Sequence, residues 1–147
     1  MDAINKKILR ELALNARLSN LDLSDRVGLS PSACLRRVQE LERTGVITGY
    51  RVQTDRVRLG IGFTAYITVG LSIHTKDSQE AFERAISRAP EVIECHNVTG
   101  TVEYLLRVEA ADLAAYKVFH TNVLGTLPQV SAITSYVVMG SPKDLRA

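Results

Sequence analysis

An α+β fold in two parts is predicted by this sequence of 147 residues, with three helices first and then the order β-α-β-β-α-β. Three observations carry that prediction. Apolar residues recur at helical spacing from Ile4 to Leu41, punctuated by capping residues and a turn glycine. From Phe63 the spacing switches to strict alternation, the period of a strand with one buried face. Beyond it, two further helical stretches alternate with three more strand-like runs.

Ile4, Ile8, Leu9 and Leu12 predict a first amphipathic helix over about 2–13. Ser19 is a suitable N-cap for a second, with Asp22 three residues on to complete a capping box. Leu21, Leu23 and Val27 give that helix its apolar contacts, and Gly28 ends it in a left-handed turn. Ser30 caps a third helix, and Pro31 takes its first position, where a missing N–H costs nothing. Cys34, Leu35, Val38 and Leu41 are its expected buried stripe, leaving Ser32, Ala33, Arg36, Arg37, Glu40 and Arg43 outside. Two short helices joined by a tight turn, the second with a capped and basic N-terminus, form a helix-turn-helix, the device that lays one helix in the DNA major groove. Ser32 can donate to a phosphate or a base edge, Arg36 can fork to guanine or clamp a phosphate, and Arg37 is expected to grip the backbone. The competing interpretation is a plain helical bundle with a solvated polar face. Residues 46–52 read as a short strand that serves as a small wing, and Arg51, Arg56 and Arg58 then lie in a linker over 51–62 ending at Gly60 and Gly62.

Bulk properties fit. Charge divides unevenly, with a net +4 over residues 1–59 and −2 over 60–147, so the positive excess lies where DNA phosphates are expected. No run approaches the ~18 apolar residues of a membrane span. Cys34 and Cys95 have no metal-ligand spacing and are too few for a disulfide framework, so a reducing cytoplasm is the expected setting. No cofactor is called for.

In the second part, Phe63, Ala65, Ile67, Val69, Leu71 and Ile73 alternate over one strand. A helix over about 78–89 presents Phe82, Ala85, Ile86 and Ala89, and Pro90 stops it. Strands near 92–99 and 103–109 flank a turn at Gly100, Asp112 caps a helix carrying Tyr116, Phe119, Val123 and Leu127, and a last strand covers about 130–139. This order suggests a ferredoxin-like sandwich with helices on one sheet face. The other face carries Thr64, Tyr66, Thr68 and Ser72, and a second copy of the sheet is its economical cover, so a dimer is expected.

Nearly end to end, the chain resembles the leucine-responsive regulator/AsnC (Lrp/AsnC) family of bacterial and archaeal transcription factors. The motifs that carry the resemblance are RLSNLDLSDRVGLSPSACLRRVQELERTGVITGY, PEVIECHNVTG, EYLLRV, DLAAY and LPQVSAITSYVVM. The resemblance implies a winged helix-turn-helix domain over 1–50 and an oligomerising, amino-acid-sensing domain over 63–147. It also implies double-stranded DNA as partner, a dimer that builds into octamers, and a cytoplasmic, nucleoid-associated regulator. In the family an effector loop of pattern Gly-Asp-aromatic-Asp lies near subunit contacts, and this sequence has Gly100-Thr101-Val102-Glu103 there. Gly100 and an acid at the last position are kept, while Thr101 and Val102 depart. Backbone N–H groups around Gly100 would then receive an amino acid's carboxylate and Glu103 its ammonium, with Thr134 and Tyr136 contributing from the last strand.

Two other functions compete. A small ferredoxin-like enzyme is poorly supported, because His74, His96 and His120 are scattered, and Cys95 and His96, as strand neighbours, face opposite ways. An effector-independent, DNA-wrapping architectural protein would share the DNA face without a working pocket, and the lost ring at Val102 is its best support.

Overall fold

A computed structural model describes residues 1–144 and divides the chain into two compact units, Met1–Gln53 and Thr54 onward. In the first unit three helices pack together: α1 (Ala3–Leu14), α2 (Asn20–Val27) and α3 (Pro31–Arg43). The caps sit where the sequence puts them. Ser19 Oγ accepts from the Asp22 amide, Ser30 Oγ accepts from the Ala33 amide, and Gly28 turns the chain at φ 74°. Ile8, Leu23, Val27, Cys34 and Leu41 form the buried centre, flanked by Ile4, Leu9, Leu12, Val38 and Ile47.

Two expected core residues lie outside it. Leu21 is 60% exposed and Leu35 46%, because at about 100° per residue each is turned roughly 100° or more away from the row that links Leu23 to Val27 or Cys34 to Val38 and Leu41. The strand expected over 46–52 does not form among the described residues. The Ile47 amide is spent on the Leu41 carbonyl at 3.0 Å, closing the end of α3, and Tyr50 Oη donates to Glu42 at 2.7 Å. The segment is held to α3 and has no strand to pair with.

The second unit contains β1 (Phe63–Leu71), α4 (Lys76–Ile86), β2 (Val92–Asn97), β3 (Tyr104–Ala110), α5 (Leu113–Asn122) and β4 (Val130–Val137). The strands form one antiparallel sheet in the order β2-β3-β1-β4. Helix α4 begins two residues earlier than expected because Thr75, not a later residue, supplies the cap. The alternating side chains of β1 meet Phe82, Ile86, Tyr116, Phe119 and Leu124 in a single core. Residues 55–62, assigned from sequence to a linker, form a turn joined to this unit through Gly62 N–H to the Ala111 carbonyl at 3.0 Å. Among the described residues no helix is long and apolar enough to cross a membrane.

Phe82 is fully buried with its ring 4.5 Å from that of Tyr104. Phe82→Ala is expected to lower stability by about 3–5 kcal/mol, measured by urea denaturation, as for other buried aromatic truncations.

Candidate DNA interface and effector loop

Helix α3 presents Ser32, Arg36 and Glu40 at intervals of four, so they share one exposed side. Its N-terminus is braced by Asn20, whose amide donates to the Pro31 carbonyl at 2.8 Å. Ser32 Oγ lies 3.3 Å from Ser30 Oγ, and Ala33 is half-buried. The three arginines of α3 differ in state. Arg43 donates to both Glu40 oxygens, at 2.8 and 2.6 Å, and this contact holds the Glu40 carboxyl below its ordinary range. Arg36 is exposed and makes no ion pair among the described residues. Among the described residues it is the one arginine of α3 without an ion pair.

Arg37 does not lie on the outer side of α3 where the sequence places it. Its Nη1 donates to Asp2 Oδ2 at 2.6 Å and to Asn5 Oδ1 at 2.9 Å, so it turns toward α1 instead of outward. Three residues after Cys34 and four before Leu41, it flanks the buried stripe, and that spacing was the available signal. Asp2 is held below the usual carboxylate range, first by the Asn5 amide and then by Arg37. A depressed folded value means that the contribution of Asp2 is complete above the ordinary aspartate range and lost as pH falls through the depressed value. At neutral pH the contact is fully formed.

In the second unit the turn between β2 and β3 contains Gly100 at φ 128°, a backbone state that favours glycine, and is closed by the Val98 amide on the Glu103 carbonyl at 2.9 Å. Thr101 is exposed and Val102 half-buried. The Glu103 carboxylate is already engaged. Oε2 accepts from the Leu71 amide at 2.6 Å, and Oε1 lies 2.8 Å from His74 Nδ1. Gly70 borders it, and a Cβ there would sit at ordinary contact distance, 3.7 Å, from Glu103 Oε2. His74 was missed as a neighbour of the loop. Thr134 and Tyr136 are exposed on the open sheet face, paired with Thr68 and Tyr66, and Ala132 of the same row borders Gly70.

Part of that open face is covered by the chain itself. Arg107 and Glu109 are buried there, 3.1 Å apart, with Asp144 bonded to Arg107 at 3.2 Å and Arg56 paired to Glu109. On the helix side, a groove of about 360 Å³ lies between α4 and β2. Its polar groups satisfy one another, with Tyr104 Oη donating to Glu83 at 2.7 Å. Desolvation at the groove and the Glu83 carboxylate push the thiol of Cys95, itself exposed, up to about 11, which disfavours its thiolate form. His96 points to the other face, 3.3 Å from Glu94.

The second unit matches the family model described as the Lrp/AsnC ligand binding domain over residues 64–147. The chain belongs to the Lrp/AsnC family. Residues 1–48 match a winged helix-turn-helix DNA-binding model. This Lrp/AsnC chain is 42% identical over 144 residues to a leucine-responsive regulatory protein of Haemophilus influenzae, covering 98% of this chain and 87% of that one. It is 43% identical over 141 residues to a Bkd operon transcriptional regulator of Pseudomonas aeruginosa, covering 96% and 92%. A transcriptional regulator of Neisseria meningitidis solved in complex with L-methionine superposes with TM-score 0.93 at 35% identity, covering 98% and 93%. The protein is thus a DNA-binding transcriptional regulator with a ligand-binding domain.

For this Lrp/AsnC regulator, Glu103 carries a structural duty whatever else it does. Glu103→Ala strands the buried Leu71 amide and is expected to cost about 1–3 kcal/mol, while Glu103→Gln, keeping an acceptor, recovers part of the loss. Urea denaturation of both variants checks it.

Proposed function

We propose that the chain reads double-stranded DNA with the exposed side of α3 and that a free amino acid, held around Gly100–Glu103, sets its assembly or its DNA affinity. The observation that carries the first half is the capped N-terminus of α3 with unpaired Arg36 one turn from Ser32. Ser30, Ser32 and Ala33 let the helix start approach the backbone, and Arg36 supplies the charge-assisted contact. Exposed Leu35, three residues from Ser32, offers the apolar contact that a thymine methyl accepts. Glu40 and Arg43 act as a neutralised pair at the far end. Paired units of a dimer would read half-sites about 34 Å apart or a multiple of that, and dimers would assemble further to an octamer in the cytoplasm, on the nucleoid.

The second half is supported by family membership and by the L-methionine complex of the Neisseria relative. Thr101, Val102, Thr134 and Tyr136 would shape the pocket. Because the Glu103 carboxylate is engaged by Leu71 and His74, the effector's ammonium would share an acid that already has partners. The spent acid and the missing ring at Val102 favour, as the second reading, an architectural protein that answers to no effector.

Arg36→Ala is expected to lower DNA affinity by one to two orders of magnitude, about 1–3 kcal/mol, in an anisotropy titration with the fold unchanged by circular dichroism. Unchanged affinity would remove α3 as the reading helix. For the effector, a thermal-shift screen against the common amino acids should show stabilisation by one or a few of them, about 2.7 kcal/mol at a hundredfold excess over the dissociation constant. No shift from any would favour the architectural protein.

A further inference from the structure

A recognition helix reads bases only if its outward side is held at one rotation about its own axis. Each residue turns the helix by about 100°, so a modest roll carries Arg36 off its target. Within α3, the residue placed to fix that rotation is Arg37. It lies beside the buried stripe of Cys34 and Leu41, next in sequence to Arg36, and its guanidinium reaches back to Asp2 and Asn5 at 2.6 and 2.9 Å. The Asp2 carboxylate also starts α1, since its Oδ1 accepts the Asn5 amide at 2.7 Å. One acid therefore both caps the first helix and grips the third. Among the described residues, Arg37 makes both side-chain hydrogen bonds that run from α3 to this end of α1.

Building on the DNA-binding role proposed above, we infer that Asp2, Asn5 and Arg37 form a clasp that sets the rotation of α3, with Arg37 a positioning residue and not a phosphate ligand. Asp2 neutralises the guanidinium, and moving Arg37 to a phosphate would break two short bonds and leave the Asp2 carboxylate beside the DNA. The pair is partly exposed, at 30% and 52%, so it adds little to global stability. Its effect falls on the angle at which Arg36 and Ser32 meet the groove.

Salt dependence separates a positioning arginine from a phosphate ligand, because each phosphate neutralised adds about one to the slope of log affinity against log salt. The full chain is titrated by anisotropy against a labelled duplex selected from a random pool by the unaltered protein. Arg36→Ala should lower the slope by about one. Arg37→Ala and Asn5→Ala should weaken binding several-fold at unchanged slope and nearly unchanged melting temperature, and Asp2→Ala should do the same to binding with a lowered melting temperature from the lost α1 cap. The Asp2→Ala/Arg37→Ala pair should be no worse than the poorer single variant, as for partners in one contact. Asn5→Ala leaves the Asp2 cap in place and guards against a simple loss of α1. A slope lowered by about one in Arg37→Ala would overturn the inference, making Arg37 a phosphate ligand. Tighter binding with a steeper slope in Asp2→Ala would also overturn it, since Asp2 would then be masking a DNA contact. Unaltered affinity in all three clasp variants would leave the clasp without a positioning role. An unaffected Arg36→Ala would instead remove the DNA face itself.

Discussion

Strand β1 has a hydrogen-bonded neighbour on each side, β3 and β4, and the second unit depends on that double pairing. A strand fixed on both edges cannot slip by one residue without turning every side chain to the wrong face. Phe63, Ala65, Ile67, Val69 and Leu71 are thereby committed to the core, where they meet both helices. The other row, Thr64, Tyr66 and Thr68, is committed to the open face together with Thr134 and Tyr136. The sheet register thus fixes the placement of the candidate effector residues before any ligand is considered. The turn at Gly100 is anchored to the same strand, because Glu103 bonds the Leu71 amide where β1 ends.

On and around α3 most of the charge is paired. The net positive excess in the sequence suggests a broadly basic surface, yet Arg26 is paired with Glu11, Arg37 with Asp2 and Arg43 with Glu40. Arg36 stands out on α3 against that background. A surface built this way concentrates attraction at one place on the reading helix, so orientation of that helix matters more than total charge.

How much of this was legible in the sequence follows the range of the interactions. Caps at Ser19, Ser30 and Asp112, the turn at Gly28 and the alternation of β1 are decided within a few residues, and the structure has them as read. The strand at 46–52 was misread because β propensity needs a partner, and the backbone there is tied to α3. Leu21 and Leu35 were placed inside by their apolar character when their helical phase put them outside. Within the candidate site, Arg36 was legible from spacing. The Arg37–Asp2 contact spans 35 positions and Glu103–Leu71 spans 32, and of these only the first leaves an indirect mark, the phase of Arg37 beside Cys34.

The buried Arg107–Glu109 pair receives one chain segment from before the sheet, through Arg56, and one from after it, through Asp144. Both lie against β3, an interior strand, and not against the outermost strands. The segments before and after the sheet are therefore tied to one interior strand through a single buried ion-pair cluster, so losing either Arg107 or Glu109 would loosen both at once.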